Sequence, residues 1–240
     1  MPGWRLASFP SLCRSGASKR FARLPAEEPS PQEPAARRGT RSALPLGARV
    51  SSLPETAPSS GEDAFEAVAR FDDAVDHFFE VHLRGRPALD RLMYAASAVG
   101  DHSAIWLVLA ALKGWRSGSG WRPLLRAGAL LGAESALVNG LVKLVFRRER
   151  PEPTQERPLP LRIPRTSSFP SGHSSAAFFA ATLLGDGPAR LVYYVLAAIV
   201  ASSRIYVKIH HASDVIAGAA LGATLGKIAK RVYPVFPSRH

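Results

Sequence analysis

Between residues 93 and 232 the chain carries five apolar stretches in succession: Met93–Leu112, Leu124–Phe146, Ser174–Leu184, Leu191–Val207 and Val215–Val232. A helix that crosses a bilayer needs about 20 mostly apolar residues. None of the five is a clean run, because Asp101, His102, Glu134, Asn139, Lys143, Arg204 and Lys227 interrupt or border them. They fit either the core helices of a soluble all-α domain or membrane helices whose polar groups face a site. The runs from Trp106 to Leu112 and from Leu191 to Ala201 favour the membrane. So does the row Gly218, Gly222, Gly226, whose small-xxx-small spacing lets membrane helices approach closely. Ionisable groups inside a bilayer are costly and usually functional, and here they cluster. The expected fold is therefore all-α, an integral-membrane helical bundle of about five spanning helices.

Upstream, Phe65, Val68, Phe71, Val75, Phe78, Phe79 and Leu83 recur at spacings of three and four, one stripe of a helix. Glu66, Arg70, Asp72, Asp73, Asp76 and Glu80 fill the other face, too many charges for a span. An amphipathic helix follows, with its apolar stripe packed on the domain. Residues 1–62 hold nine of the 20 prolines and ten serines without sustained apolar periodicity. Such a segment buries too little apolar surface to offset its ordering entropy, so a disordered tail over 1–62 and a catalytic domain over 63–240 are expected. Arg5, Arg14, Lys19, Arg20 and Arg23, with no acid before residue 27, resemble an organelle transit peptide. A disordered bacterial tail or an extension from a wrongly assigned start codon is the favoured reading. The mean hydropathy of −0.01 averages these two unlike parts and misleads.

The polar residues of the apolar part fall into three clusters. Lys143 and Arg150-Pro151 close the second stretch, Pro170-Ser171-Gly172-His173 opens the third, and Ser203-Arg204 closes the fourth, followed by His210 and Asp214. Alternating spans put all three on the same side of a membrane. Arg offers a planar fork for bidentate phosphate contacts, while Lys acts as a point charge. Ser171 is a good N-cap, and a helix N-terminus presents free N–H groups to an anion. Gly172 has no side chain to hold a phosphate away. His210 and Asp214 are four apart, so on one helical turn the carboxylate reaches one ring nitrogen and leaves the other free to attack phosphorus. His173 is then the candidate general acid, and the three cations stabilise charge developing on the oxygens in place of a metal ion.

These residues carry a family resemblance. Lys143-Leu-Val-Phe-Arg-Arg-Glu-Arg150-Pro151 matches Lys-x6-Arg-Pro, Pro170-Ser171-Gly172-His173 matches Pro-Ser-Gly-His, and Ser203-Arg204-x5-His210-x3-Asp214 matches Ser-Arg-x5-His-x3-Asp. Together they resemble the signature of the type 2 phosphatidic acid phosphatase superfamily, over roughly Asp72 to Val232. The resemblance implies a metal-independent phosphatase with a phosphohistidine intermediate and no cofactor. By position it makes Lys143, Arg150, Ser171, Gly172 and Arg204 phosphate-binding, His210 the nucleophile, His173 the acid and later base, and Asp214 the partner that orients His210. Many membrane members have six spans, against five here plus the amphipathic helix.

His211 is assigned no role, although His173, His210, His211 and Asp214 could also be read as metal ligands. Arg147, Arg148, Arg157, Arg162 and Arg165 are taken as surface charges or headgroup contacts, and Asp101, His102 and Glu134 as helix–helix hydrogen-bonding groups. The single cysteine, Cys13, excludes an intramolecular disulfide framework. The net charge of +12 rests on 25 Arg and 6 Lys without an aromatic-interleaved patch, so nucleic acid is not an expected partner. The expected partners are the bilayer and a lipid phosphate, prenyl-linked or glycerolipid, and a homo-oligomer is compatible. Lys113, Arg116, Arg122, Lys227, Lys230 and Arg231 lie on the face opposite the site, which favours an outward-facing site in a bacterial plasma membrane, with an organelle membrane as the alternative. A vanadate-dependent haloperoxidase or a non-catalytic lipid-binding protein are the competing functions.

Overall fold

A computed structural model describes residues 5–6, 60–153, 156–164 and 166–236, the side chains of Arg5, Leu6, Ser60 and His102 excepted. Expectations for the N-terminal tail fall outside these residues, save that Arg5–Leu6 (β1) pairs antiparallel with Phe146–Arg147 (β2). All the described residues belong to one structural unit. Its helices are α1 (Ser60–His82), α2 (Pro87–Val99), α3 (Ala104–Arg116), α4 (Arg122–Ser135), α5 (Lys143–Val145), α6 (Gly172–Leu184), α7 (Arg190–Tyr206) and α8 (Ala212–Val232). A π-helical segment, Ala136–Val142, joins α4 to α5.

The third apolar stretch is the hub. Helix α6 has 13 residues, about 20 Å, and is apolar nearly all round, so it suits the inside of a bundle rather than a bilayer crossing. It packs against α8, α7 and α4. Ala177, Phe179, Ala181 and Leu184 form the core there with Trp106, Ala110, Leu131, Ala197 and Val200. The glycine row is what lets α8 in so close. A Cβ on Gly222 would collide with the Ser175 carbonyl, and one on Gly218 with that of Ser171.

By length and composition two helical rods can cross a membrane, Arg122–Val145 and Gly187–Tyr206, or three if α2 and α3 count as one broken span. That differs from the five expected. The first stretch is bent by 74° between α2 and α3, where Gly100, Asp101 and Ser103 interrupt it. The third is enclosed by its neighbours. The rods keep a lipid-compatible exterior, with Leu125, Leu137, Leu141 and Leu144 on one and Leu191, Val192 and Val195 on the other exposed.

Helix α1 turns only part of its apolar stripe inward: Val68, Val75, Phe79 and Leu83 are half-buried. Phe65, Phe71 and Phe78 are exposed, whereas Asp72 is buried. The face turned inward carries Asp72, Asp76 and Glu80, because basic groups await them. Arg84 bonds Asp76 and Glu80 at 2.7 Å each, and Lys208 lies 3.0 Å from Asp76. Arg84 also donates to the carbonyls of Ile205 and Tyr206, both at 2.9 Å, satisfying acceptors at the C-terminal end of α7. Only Phe79 and Leu83 of the stripe join a core, beside Tyr206 and Ile209.

Candidate active site

Two backbone hydrogen bonds bring the three clusters together. The Ser168 N–H donates to the Arg148 carbonyl at 2.9 Å, laying the loop before α6 along the strand that leaves α5. The Ser171 N–H donates to the Asp214 carbonyl at 3.0 Å, docking the start of α6 on the start of α8. Since α6 and α8 begin, and α5 and α7 end, at this pole, Lys143, Arg150, His173, Arg204, His210 and Asp214 gather there, with Arg150 and His210 lining a cavity that opens toward Asp72, Asp73 and Asp76. The expected convergence of the clusters is what the structure places there.

His210 is fully enclosed, 2% exposed, in the turn between α7 and α8. Its Nδ1 lies 3.6 Å from Asp214 Oδ2 and 3.4 Å from Ser168 Oγ, and its Nε2 lies 3.3 Å from Arg150 Nη1. A guanidinium can only donate, so the ring nitrogen facing it carries the lone pair and Nδ1 carries the proton. Burial lowers the His210 pKa, outweighing the Asp214 contact that raises it, so the ring is neutral at pH 7. A neutral imidazole with its Nε2 lone pair toward Arg150 can act as a nucleophile.

Asp214 does two jobs. As the third residue of α8 it accepts the His211 N–H at 2.9 Å, closing a capping box. It also accepts from Ser168 Oγ at 2.5 Å and from Arg148 Nη1 at 2.7 Å. Burial alone would raise its pKa, but contact with His210, the Arg148 guanidinium and the Ser168 hydroxyl hold the carboxyl well below the usual range.

Arg148 overturns its reading as a surface charge. It is 5% exposed and spans Asp214 and Asp72, with Nη2 2.6 Å from Asp72 Oδ2. Asp72 in turn accepts from the N–H and the hydroxyl of Ser213, both at 2.7 Å. The carboxylate beside His210 is thus tied to helix α1 through one buried guanidinium. Arg157 likewise departs from expectation, donating to the carbonyls of Val207 and Lys208.

The cation cradle is assembled but held differently at each member. Arg150 donates to the carbonyls of Ile209 and Thr166 at 2.9 and 3.0 Å, and Lys143 Nζ lies 3.5 Å from Thr166 Oγ1. Arg204, 1% exposed, donates to Ser97 Oγ. Arg204 Nε and Nη2 and Arg150 Nε are buried without an acceptor among the described residues. Ser171 is itself buried, and its hydroxyl caps α6 by accepting from Ser174 N–H at 3.4 Å and Ser174 Oγ at 2.9 Å. What remains for an anion there is the pair of first-turn N–H groups of Gly172 and His173. A Cβ on Gly172 would meet the Asn139 side-chain amide of the π-helical segment, which would have to move aside.

His173 binds Asp101 Oδ1 through Nε2 at 2.6 Å. The elbow between α2 and α3 reaches it because Gly100 has no Cβ, which would otherwise stand 3.2 Å from the His173 ring. Nε2 is thereby engaged and Nδ1 left for a substrate. Burial lowers the His173 pKa, the Asp101 hydrogen bond raises it in part, and the charges of Arg204 and Lys143 lower it further. An acid role needs the protonated ring, which is lost as pH rises through a value below 6.5. Asp101→Asn removes a raising contribution, so the alkaline limb of kcat/KM should move to lower pH. The loss at pH 7 should be about tenfold for alkyl phosphates and smaller for nitrophenyl phosphate, whose leaving group needs no proton. Superimposable profiles for the variant and the parent would remove Asp101 from this role.

Asp72, Arg148 and Ser168 are the partners missed in the sequence, whereas Asp101 is the hydrogen-bonding group between helical segments that was expected, with His173 as its partner. Ser168 sits only two residues before Pro170, yet nothing in a Ser-Ser dipeptide marks it. Glu134 pairs with Ser175 Oγ at the α4–α6 contact, as expected of a helix–helix group. Among the described residues no three His, Cys, Asp or Glu side chains are grouped to hold a metal ion.

The family model of the PAP2 superfamily matches residues 123–237. Decaprenylphosphoryl-5-phosphoribose phosphatase of Mycobacterium tuberculosis is 34% identical over 167 residues, 70% of this chain and 93% of that protein. The protein of the same name from Mycolicibacterium smegmatis is 34% identical over 151 residues, 62% of this chain and 82% of its own. Among solved structures, the transmembrane PAP2 type phosphatidylglycerolphosphate phosphatase from Bacillus subtilis aligns with a TM-score of 0.55 at 25% identity, covering 69% of this chain and 85% of that one.

Proposed function

Since the chain belongs to the PAP2 superfamily, we propose that its cleft hydrolyses a membrane-anchored phosphomonoester through a phosphohistidine on His210, without a metal ion. It is a lipid phosphatase of that family, built from a helical fold that enters the membrane. The observation that carries the finer reading is the set of buried guanidinium N–H groups on Arg204 and Arg150 without acceptors among the described residues. A buried donor left unpaired costs about 1–3 kcal/mol, which a phosphoryl group with its free oxygens would offset.

In this reaction the Nε2 lone pair of His210 attacks phosphorus and the bond to the ester oxygen breaks. The departing oxygen keeps the electron pair and takes the proton of His173. Water then attacks the phosphorus of the phosphohistidine, passing a proton to His173, and the P–N bond breaks to release orthophosphate. Arg150, Arg204 and Lys143 hold the oxygens through both steps, with the N–H groups of α6. Asp214 keeps the Nδ1 proton of His210 in place.

The substrate we favour is a prenyl-linked sugar phosphate, in keeping with the relatives named for decaprenylphosphoryl-5-phosphoribose, ahead of prenyl diphosphates and glycerolipid phosphates. Lys113, Arg116, Arg122, Lys227, Lys230 and Arg231 lie at the far pole, so the cleft faces outward from a bacterial plasma membrane. Phosphate release by detergent-purified protein in EDTA, across these three substrate classes, tests the reading. Release should survive chelation and be fastest from the prenyl-linked sugar phosphate. Loss of activity in EDTA would overturn the metal-free step. No release from any lipid, with vanadate-dependent halide oxidation instead, would establish the haloperoxidase alternative.

A further inference from the structure

We propose that the pole opposite His210 carries a second anion site, which holds the phosphate group of an anionic membrane lipid. A cavity of about 310 Å³ opens there, lined by Arg190, Lys227, Lys230, Arg231, Thr182 and Tyr194. It lies between the C-terminal ends of α6 and α8 and the start of α7. The active cleft lies at the other ends of the same three helices, and the 13 residues of α6 separate the two by about 20 Å.

Charge and hydrogen bonding both suit a phosphate. The acid at this pole among the described residues is Asp186, and it is already shared, 2.6 Å from Lys113 and 2.6 Å from Lys230. Lys230 is further held by the carbonyls of Gly185 and Thr182 at 2.9 and 3.3 Å, so it is a fixed wall of the cavity. Arg190, Lys227 and Arg231 are exposed and form no ion pair among the described residues. Arg190 lies over the Tyr194 ring at 5.4 Å, and the Tyr194 hydroxyl meets Thr182 Oγ1 at 2.8 Å. Three cations without an ion-pair partner among the described residues thus border the pocket. The Thr182 hydroxyl donates to the Phe178 carbonyl and the Tyr194 hydroxyl to Thr182, so the cations supply the donors for an anion.

The surroundings identify the source of the anion. Arg190 stands near the start of the membrane-compatible rod Gly187–Tyr206. Leu191 and Val195 follow on the same helix, and Ile228 and Val232 flank the lysine and arginine of α8, all of them exposed. A second depression, bounded by Gly187, Pro188 and Leu191, shares Arg190 and Tyr194 with the cavity. Cations at the end of a span beside exposed aliphatic side chains match a lipid, whose headgroup sits in the pocket while its acyl chains lie along the rods. A soluble anion would have no use for the apolar flank.

The test compares thermal unfolding of delipidated protein in neutral detergent with added phosphatidylglycerol, phosphatidylcholine or inorganic phosphate. It is run on the parent and on Lys227→Gln/Arg231→Gln. Both substituted residues are exposed and distant from His210, so the variant keeps parental turnover in detergent, and lipid bound in the cleft contributes equally to both proteins. Phosphatidylglycerol should stabilise the parent, with an apparent affinity about tenfold weaker in the variant, and phosphatidylcholine should do neither. Equal stabilisation of both proteins by phosphatidylglycerol would overturn the site. Stabilisation by inorganic phosphate, lost in the variant, would overturn the lipid assignment and leave a site for a soluble anion. Should the double variant fold poorly, Arg190→Gln gives the same readout from another wall.

Discussion

Replacing His210 by Ala should lower kcat by on the order of 10⁴-fold or more while leaving substrate affinity nearly unchanged. The asymmetry follows from the site. Arg150, Arg204 and Lys143 are held by Ile209, Thr166 and Ser97, so the cradle persists without the imidazole, whereas no other group stands where Nε2 stands. Because His210 is almost wholly buried, His210→Gln, which keeps side-chain volume and an acceptor for Arg150, separates lost chemistry from lost packing. A phosphorylated enzyme trapped during turnover should carry an acid-labile, alkali-stable label. The label should vanish in both His210 variants and accumulate in His173→Ala with a good leaving group, where breakdown needs the missing base. Turnover within tenfold of the parent in His210→Gln, or a label that survives there, would falsify the nucleophile assignment.

The second large effect concerns stability. Arg148 neutralises two carboxylates, and the side chains of Arg148, Asp72 and Asp214 are 2%, 2% and 0% exposed. Removing one partner of such a group strands the others in a low-dielectric site at a cost of about 3–5 kcal/mol. Arg148→Met should therefore lower the thermal midpoint by about 10 °C in a unit of this size. It should also lower kcat, because Asp214 loses the donor that fixes it against Nδ1. Adding Asp72→Asn removes one stranded charge, so the double variant should be more stable than Arg148→Met alone, yet equally slow. If the two substitutions simply add, the three groups do not act as a unit. If stability returns together with kcat, Arg148 matters only for folding.

The same network explains which parts of the site could be read along the chain. The proposed nucleophile, acid, cradle and orienting carboxylate stand in three short motifs whose internal spacing is local. Ser171 capping α6 follows from helix geometry, whereas His210 lies in the turn before α8 and meets Asp214 where the capping box folds that turn onto the helix start. Arg148 sits inside the first of those motifs and was taken for a surface charge, because its partners lie 66 and 76 residues away. Asp101 reaches His173 across 72 positions and had only the generic look of a polar group between helices. Helix α1 misled for a related reason. Its apolar periodicity gives the helix, but the charges on Arg84, Arg148 and Lys208 bring Asp72, Asp76 and Glu80 inward beside Val68, Val75, Phe79 and Leu83 and leave Phe65, Phe71 and Phe78 outside.

Composition and periodicity suggest five spans, whereas helix length and composition admit two or three among the described residues. A run of apolar residues records that a helix is shielded from water, and lipid and protein shield it alike. Helix α6 is apolar because other helices surround it, and the Met93–Leu112 stretch is apolar on both sides of a sharp bend. The sequence by itself determined the helical class, the family signature and the residues proposed to react, since these rest on residue types at fixed local spacing. The tertiary structure alone decided which helices are enclosed, which carboxylates stand behind His210 and His173, and which way α1 faces. Those outcomes depend on buried charges finding partners far along the chain, and burial makes an unpaired charge too costly for any other arrangement.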